Sequence, residues 1–214
     1  MPNELPSPLD QYVRSLFAPE DGALAAVASR QEKAGLPPIQ ISPEEGKLIA
    51  VLLAAARATR VLEIGTLGGY SGVWIARALG KSGRLTTLEI DPRHAEVARK
   101  TFAEAGVGDR VEVRLGAARE ILPTLNEQFD AIFVDADKEA YPFYFTQAMR
   151  LLKRGGLLLG DNAFRDGRVA DTKDRAADVE AMREFNQMAA HDRRLVSTIF
   201  PIRDGLLVGV KIAD

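Results

Sequence analysis

Three features of the sequence predict an α/β fold built on a mostly parallel sheet. From Arg60 onward, short apolar runs alternate with helical patterns, the signature of βαβ units. Two of those runs, IFVDADK and LLLGDN, end in aspartates. Asp135 and Asp161 are therefore placed at the carboxyl edge of parallel strands, where open α/β sheets hold their ligands. The tail then changes character: LVSTIFPI and GLLVGVKI flank Arg203–Asp204, and Asp204–Gly205 is a turn signal. A hairpin of antiparallel strands should close the sheet.

Taken in order, Leu9–Ala26 reads as a helix with nothing catalytic in it, covering the site or a subunit interface. Ser42-Pro43-Glu44-Glu45 is a capping box, with Ser42 as N-cap, Pro43 in the first turn and Glu45 reaching back. It opens an apolar helix through Leu48, Ile49, Leu52 and Leu53. Strands are expected at Arg60–Ile64, Arg84–Glu89, Val111–Arg114, Ala131–Val134 and Gly155–Leu159. Helices are expected at Ser71–Leu79, Pro92–Ala105, Ala117–Leu122, Ala140–Leu152 and about Ala176–His191. No repeat or low-complexity linker interrupts this pattern. Residues 1–214 thus read as one domain, a helical cap over 1–58 and an α/β core over 59–214.

Composition narrows the chemistry. The 214 residues are 46% hydrophobic and 27% charged, the balance of a soluble globular chain. A net charge of −2 and a pI near 5.8 give no basic footprint for nucleic acid. No stretch approaches a bilayer span, and the acidic, proline-broken start fits no signal peptide, so a cytoplasmic location is the expectation. Without cysteine there is no disulfide, thiolate nucleophile or sulfur-ligated metal. The two histidines, His94 and His191, both read as solvent-facing, which argues against Ser–His–Asp hydrolysis and histidine-rich zinc sites.

After the first strand, Gly65-Thr66-Leu67-Gly68-Gly69-Tyr70-Ser71-Gly72 turns into a helix, the form of a cradle for a nucleotide-type cofactor. Leu67 stands where the dinucleotide fingerprint needs glycine, which disfavours NAD. Glu89 ends the second strand, where a carboxylate can accept both hydroxyls of a ribose. Asp91 reads as the cap of the helix begun by Pro92. Glu63, inside a buried strand, should either contact the positive part of a cofactor or bond the loop backbone. Asp135, Asp161 and Asn162 would form an oxygen-only site suited to Mg²⁺, Ca²⁺ or Mn²⁺. Asp137 reads as a helix cap and Lys138, taken alone, as a surface lysine. Trp74 and Tyr141 are candidates to wall an aromatic acceptor, although Trp74 fits core packing better.

Together, SPEEG, LEIGTLGGYSG, LEID, FDAIFVDADK and GDN resemble the cation-dependent O-methyltransferases, the group containing catechol and caffeoyl-CoA O-methyltransferases. The resemblance runs from about Ile39 to the final hairpin. It implies a three-layer, Rossmann-like class I methyltransferase fold with a seven-stranded sheet, S-adenosylmethionine as cofactor, a divalent cation and a homodimer. Carried over by position, it implies that Ile41, Glu63, Gly65, Thr66, Gly69, Tyr70 and Ser71 hold the methionine and ribose side. Glu89 with Ile90 would bind the ribose, Ala118 would lie at the adenine, and Asp135 would border the cofactor. Asp135, Asp161 and Asn162 match the metal ligands, and Lys138 matches the general base, its pKa lowered by the cation. Gly68 departs from relatives that carry a side chain there, with little effect expected.

The substrate so implied is a small vicinal dihydroxy phenol. The run Phe164–Arg175, which varies among relatives, leaves the acceptor open. A tRNA hydroxyuridine methyltransferase of the same fold is an alternative that the acidic pI weighs against. A non-catalytic ligand-binding homologue is another, against which the intact site residues weigh.

Overall fold

The computed structural model describes residues 7–214. Its sheet has seven strands: β1 (Arg60–Ile64), β2 (Arg84–Glu89), β3 (Val111–Leu115), β4 (Phe129–Val134), β5 (Leu152–Gly160), β6 (Leu195–Phe200) and β7 (Leu206–Lys211). Their order is β3-β2-β1-β4-β5-β7-β6. Strands β1 to β5 are parallel, and β7 joins β5 and β6 antiparallel, as the tail predicts. The order reverses between β1 and β4, which opens the crevice where such sheets bind ligands.

Both faces of the sheet are covered. Along β4, Ala131 and Phe133 join one core with Leu24, Ile49, Val73 and Phe102. Ile132 and Val134 face the other, with Tyr141, Phe145, Met182 and Phe185. This period of two with apolar residues on both sides is what a parallel strand between two helical layers requires. The layers are formed by α3 (Pro43–Ala55), α4 (Tyr70–Ala78) and α5 (Pro92–Glu104) on one side, and α7 (Tyr141–Leu151) and α8 (Ala177–His191) on the other, with the short α6 (Ala118–Ile121) after β3.

The N-terminal helix differs from its expected form. It is two helices, α1 (Pro8–Phe17) and α2 (Gly22–Lys33), because Pro19 cannot continue the first and Asp21 caps the second through the Leu24 N–H. Strand β5 starts at Leu152, three residues before its expected start, directly from the end of α7. The box at Ser42 is half formed: Ser42 Oγ accepts from Glu45 N at 3.2 Å. The carboxylate of Glu45 does not reach back. It is buried and turned toward Asp161.

Candidate active site

The strand ladder itself delivers the two aspartates. Past the end of β4, Asp135 N donates to Ile64 O at 2.9 Å, and past β5, Asp161 N donates to Val134 O at 3.0 Å. Both residues are thereby carried to the edge at which β1 turns into Gly65. Gly65 has φ +98°, and a Cβ there would strike the Asp135 carbonyl, so only glycine fits the crossing. A cavity of about 1370 Å³ opens along this edge, large enough for a cofactor and a second small molecule together. Ile41, Gly65, Thr66, Tyr70, Ser71, Glu89, Ile90 and Ala118 line it, as do Asp135, Lys138, Asp161 and Asn162.

Glu63 and Gly69 are not among its lining residues. Glu63 lies beneath the cradle, accepting hydrogen bonds from Ser71 Oγ and Thr87 Oγ1, both at 2.6 Å. It bonds side chains and not loop backbone, and burial pushes its pKa up to about 7. Glu89 is already engaged: it accepts from the N–H groups of Thr66 at 3.2 Å, Leu67 at 2.8 Å and Asp91 at 2.9 Å. These bonds shape the cradle and leave lone pairs for further donors. A Cβ on Gly68 would lie 2.6 Å from Cγ of the buried Gln31, so glycine here is matched to the glutamine against it.

At the opposite end, Lys138 Nζ donates to Asp135 Oδ1 at 2.8 Å and to the Tyr141 hydroxyl at 2.9 Å. Burial alone would lower the lysine pKa, but the Asp135 carboxylate, Tyr141 and Asp161 outweigh it and the net shift is upward. This is opposite to the lowered value implied by the sequence, which depends on a cation's charge being present. Asp161 Oδ1 accepts from Asn162 N at 2.6 Å, and burial together with Asp135 pushes Asp161 up to about 6.

The residue that the sequence did not indicate is Glu45. It is 1% exposed, its Oε1 has no hydrogen-bond partner, and burial followed by Asp161 and Asp135 drives its pKa up to about 10. The capping-box pattern concealed it. The usable signal was the pair Glu44–Glu45, since Glu44 is engaged by the Arg14 guanidinium and leaves Glu45 as the second carboxylate.

Trp74 keeps the core place that its sequence context favours, and the expected wall at Tyr141 is absent. Trp74 is core, packed against Gly46, and Tyr141 is fully buried with its hydroxyl on the Val134 and Asp161 carbonyls. Tyr144 and Phe164 line the cavity in their place. Asp137 makes no side-chain cap and instead accepts from the Tyr144 hydroxyl. Asp91 does cap α5, through Arg93 N at 2.7 Å. Backbone strain also collects here: Leu67, Asn162, Arg165, Asp166 and Arg203 all have positive φ and all line the cavity. Clustering of this kind marks functional sites, because the surrounding fold must hold each residue in place.

The edge fits a hard divalent cation. Asp135 and Asp161 offer carboxylates and Asn162 an amide oxygen, and the two carboxylates together exceed the one positive charge that Lys138 brings. Among the described residues no three acidic, histidine or cysteine side chains form a ready-made cage. Ligands of this number leave open positions for water or a chelating acceptor.

A family model described as O-methyltransferase matches residues 15–212. A catechol O-methyltransferase of Niastella koreensis is 43% identical over 218 residues, covering 100% of this chain and 96% of its own. A catechol O-methyltransferase of Mycobacterium tuberculosis is 45% identical over 187 residues, covering 87% of this chain and 85% of its own. Among solved structures, the O-methyltransferase TomG of Streptomyces achromogenes, involved in tomaymycin synthesis and determined in complex with SAM, superposes with a TM-score of 0.91. It is 38% identical and covers 96% of each chain. With the family model spanning nearly the whole sequence and relatives this similar along its length, the chain belongs to the O-methyltransferase family.

Proposed function

We propose that the protein transfers the methyl group of S-adenosylmethionine to one hydroxyl of a small vicinal dihydroxy phenol, with a divalent cation, Mg²⁺ first, at the Asp135–Asp161–Asn162 edge. One observation carries this reading: two neighbouring strand ends bring the carboxylates of Asp135 and Asp161 together beside the Gly65 cradle, with only the Lys138 ammonium paired against them. The catechol O-methyltransferase relatives and the SAM complex of TomG support the donor and the acceptor class.

The cradle residues would hold the donor. Glu89, fixed by the Thr66, Leu67 and Asp91 amides, presents its remaining lone pairs where ribose hydroxyls would donate. Methyl transfer is an in-line displacement, so the acceptor oxygen must be held about 3 Å from the methyl carbon in a deprotonated form. A cation bound at this edge would supply Lewis-acid stabilisation of the phenolate and a template for two adjacent oxygens. Lys138, which donates to Asp135 and Tyr141, would take the phenolic proton once a bound cation disfavours its own charge.

The test is methyl transfer from labelled S-adenosylmethionine to a panel of catechols, with Mg²⁺ and with EDTA. Turnover should vanish with EDTA and return with Mg²⁺. Asp161→Ala should remove it by at least about 100-fold, the scale of a lost metal-centre group, while S-adenosylhomocysteine still binds in calorimetry. Turnover indifferent to EDTA and to Asp161→Ala would refute the cation.

A further inference from the structure

We propose that Arg203 selects acceptors carrying a negative group, so that the preferred substrate is a catechol whose ring bears a carboxylate. This rests on the O-methylation reading above and names its substrate class. Arg203 stands at the first central position of the turn Ile202–Gly205, closed by Gly205 N donating to Ile202 O at 2.8 Å. Its φ is +46°, a conformation that glycine adopts without strain and arginine does not. A strained, exposed arginine in such a turn contributes nothing to folding that glycine would not, which turns attention to its side chain.

That side chain is placed on the site. The turn is tied to the segment following Asp161–Asn162: Phe164 N donates to Asp204 O at 2.8 Å, Ala163 N to Gly205 O at 2.9 Å and Asp166 N to Asp204 Oδ1 at 2.6 Å. Gly205 also packs on the ring of Phe164, a cavity-wall residue. Arg203 is thus held beside the metal edge by the same bonds that order the loop.

Its charge is available. Of the arginines lining the cavity, Arg14 is paired with Glu44, Arg165 with Asp178, and Arg119 lies over the Phe143 ring. Among the described residues no hydrogen bond or ion pair engages the Arg203 guanidinium, although its field reaches Asp10 and the buried Glu45. A planar guanidinium at the mouth, next to an aromatic wall, matches a carboxylate on an aromatic acceptor whose two hydroxyls point inward.

The test compares 3,4-dihydroxybenzoate with 3,4-dihydroxybenzyl alcohol, which share the two hydroxyls and differ in charge. Binding is measured by calorimetry on protein loaded with S-adenosylhomocysteine and Mg²⁺, and kcat/KM by methyl transfer. Wild type should favour the carboxylate roughly two- to fivefold at low salt, the scale of an exposed ion pair. The preference should shrink at high salt. Arg203→Gln should abolish it, mainly through KM, and Arg203→Lys should keep most of it. Arg203→Gly should lose the preference without lowering Tm. An unchanged preference in Arg203→Gln would overturn the assignment, as would a wild type that treats both catechols alike. Wild type that methylates neither compound would instead refute the catechol reading, and this inference with it.

Discussion

Glu63 shows how a residue can be legible in type while its partners are not. A carboxylate inside an apolar strand stands out in the sequence, since burying its charge is costly. The hydroxyls that hold it, Ser71 and Thr87, come from two other elements, and their convergence is written only in the fold. Burial dominates, and the folded pKa is raised from 4.5 to about 7. A raised folded value means that the protonated form is favoured by folding. The stability it contributes is full below pH 4.5 and is lost as pH rises through about 7. Glu63→Gln lacks that titration and should gain stability relative to wild type across this window. The gain should reach on the order of 3 kcal/mol well above it, read by urea unfolding of the cofactor-free protein on both sides of the window. Parallel pH profiles for the two proteins would show that Glu63 is not strained by its burial. Glu45 escaped the sequence for a related reason: its spacing from Ser42 satisfies a helix cap, and only the folded chain brings its carboxylate to Asp161.

At the scale of elements, the parallel strands were legible because β1, β4 and β5 are apolar on both faces, while the edge strand β3 alternates Val111 and Val113 with Glu112 and Arg114, and turn residues bound each of them. The break at Pro19 was also available in the sequence, and it separates α1 from α2 as proline chemistry requires. What could not be read is how closely elements approach. The cradle glycine looked like ligand clearance, whereas its nearest neighbour is the backbone of the adjacent strand end at Asp135. Gly65 therefore fixes the spacing between the cradle and the Asp135 side of the edge. Gly65→Ala should cost roughly 1–2 kcal/mol for a side chain at positive φ and about 1–3 kcal/mol more for overpacking. It should also weaken S-adenosylhomocysteine binding, because relief of the clash moves either the cradle or Asp135. Wild-type Tm and affinity in Gly65→Ala would mean that the β1–β4 crossing is looser than this geometry.

At the scale of the whole molecule, the described residues leave an apolar helix face uncovered. Among the described residues no helix is long and apolar enough to cross a membrane, so this surface is not part of a helical span. It lies on α1, where Leu9, Tyr12, Val13 and Leu16 recur at helical spacing and none of the ten residues is buried. Leu9 is 75% exposed, Phe17 59%, and Val51 on the adjoining α3 55%. Contiguous apolar exposure of this kind marks an interaction surface in a folded chain. The helix is held down by Arg14 on Glu44, directly before Glu45, so whatever covers α1 also steadies the cavity wall beside Asp161. A second copy is the expected occupant, since like apolar stripes pack across a two-fold axis and close without leaving a further edge. Leu16→Glu combined with Phe17→Glu should convert a dimer to a monomer in analytical ultracentrifugation. Both changes lie on exposed side chains, so the folded state should survive them, while KM for the acceptor rises as α1 loses its support. Wild-type protein that sediments as a monomer at micromolar concentration would remove the homodimer and leave α1 to a partner of different sequence.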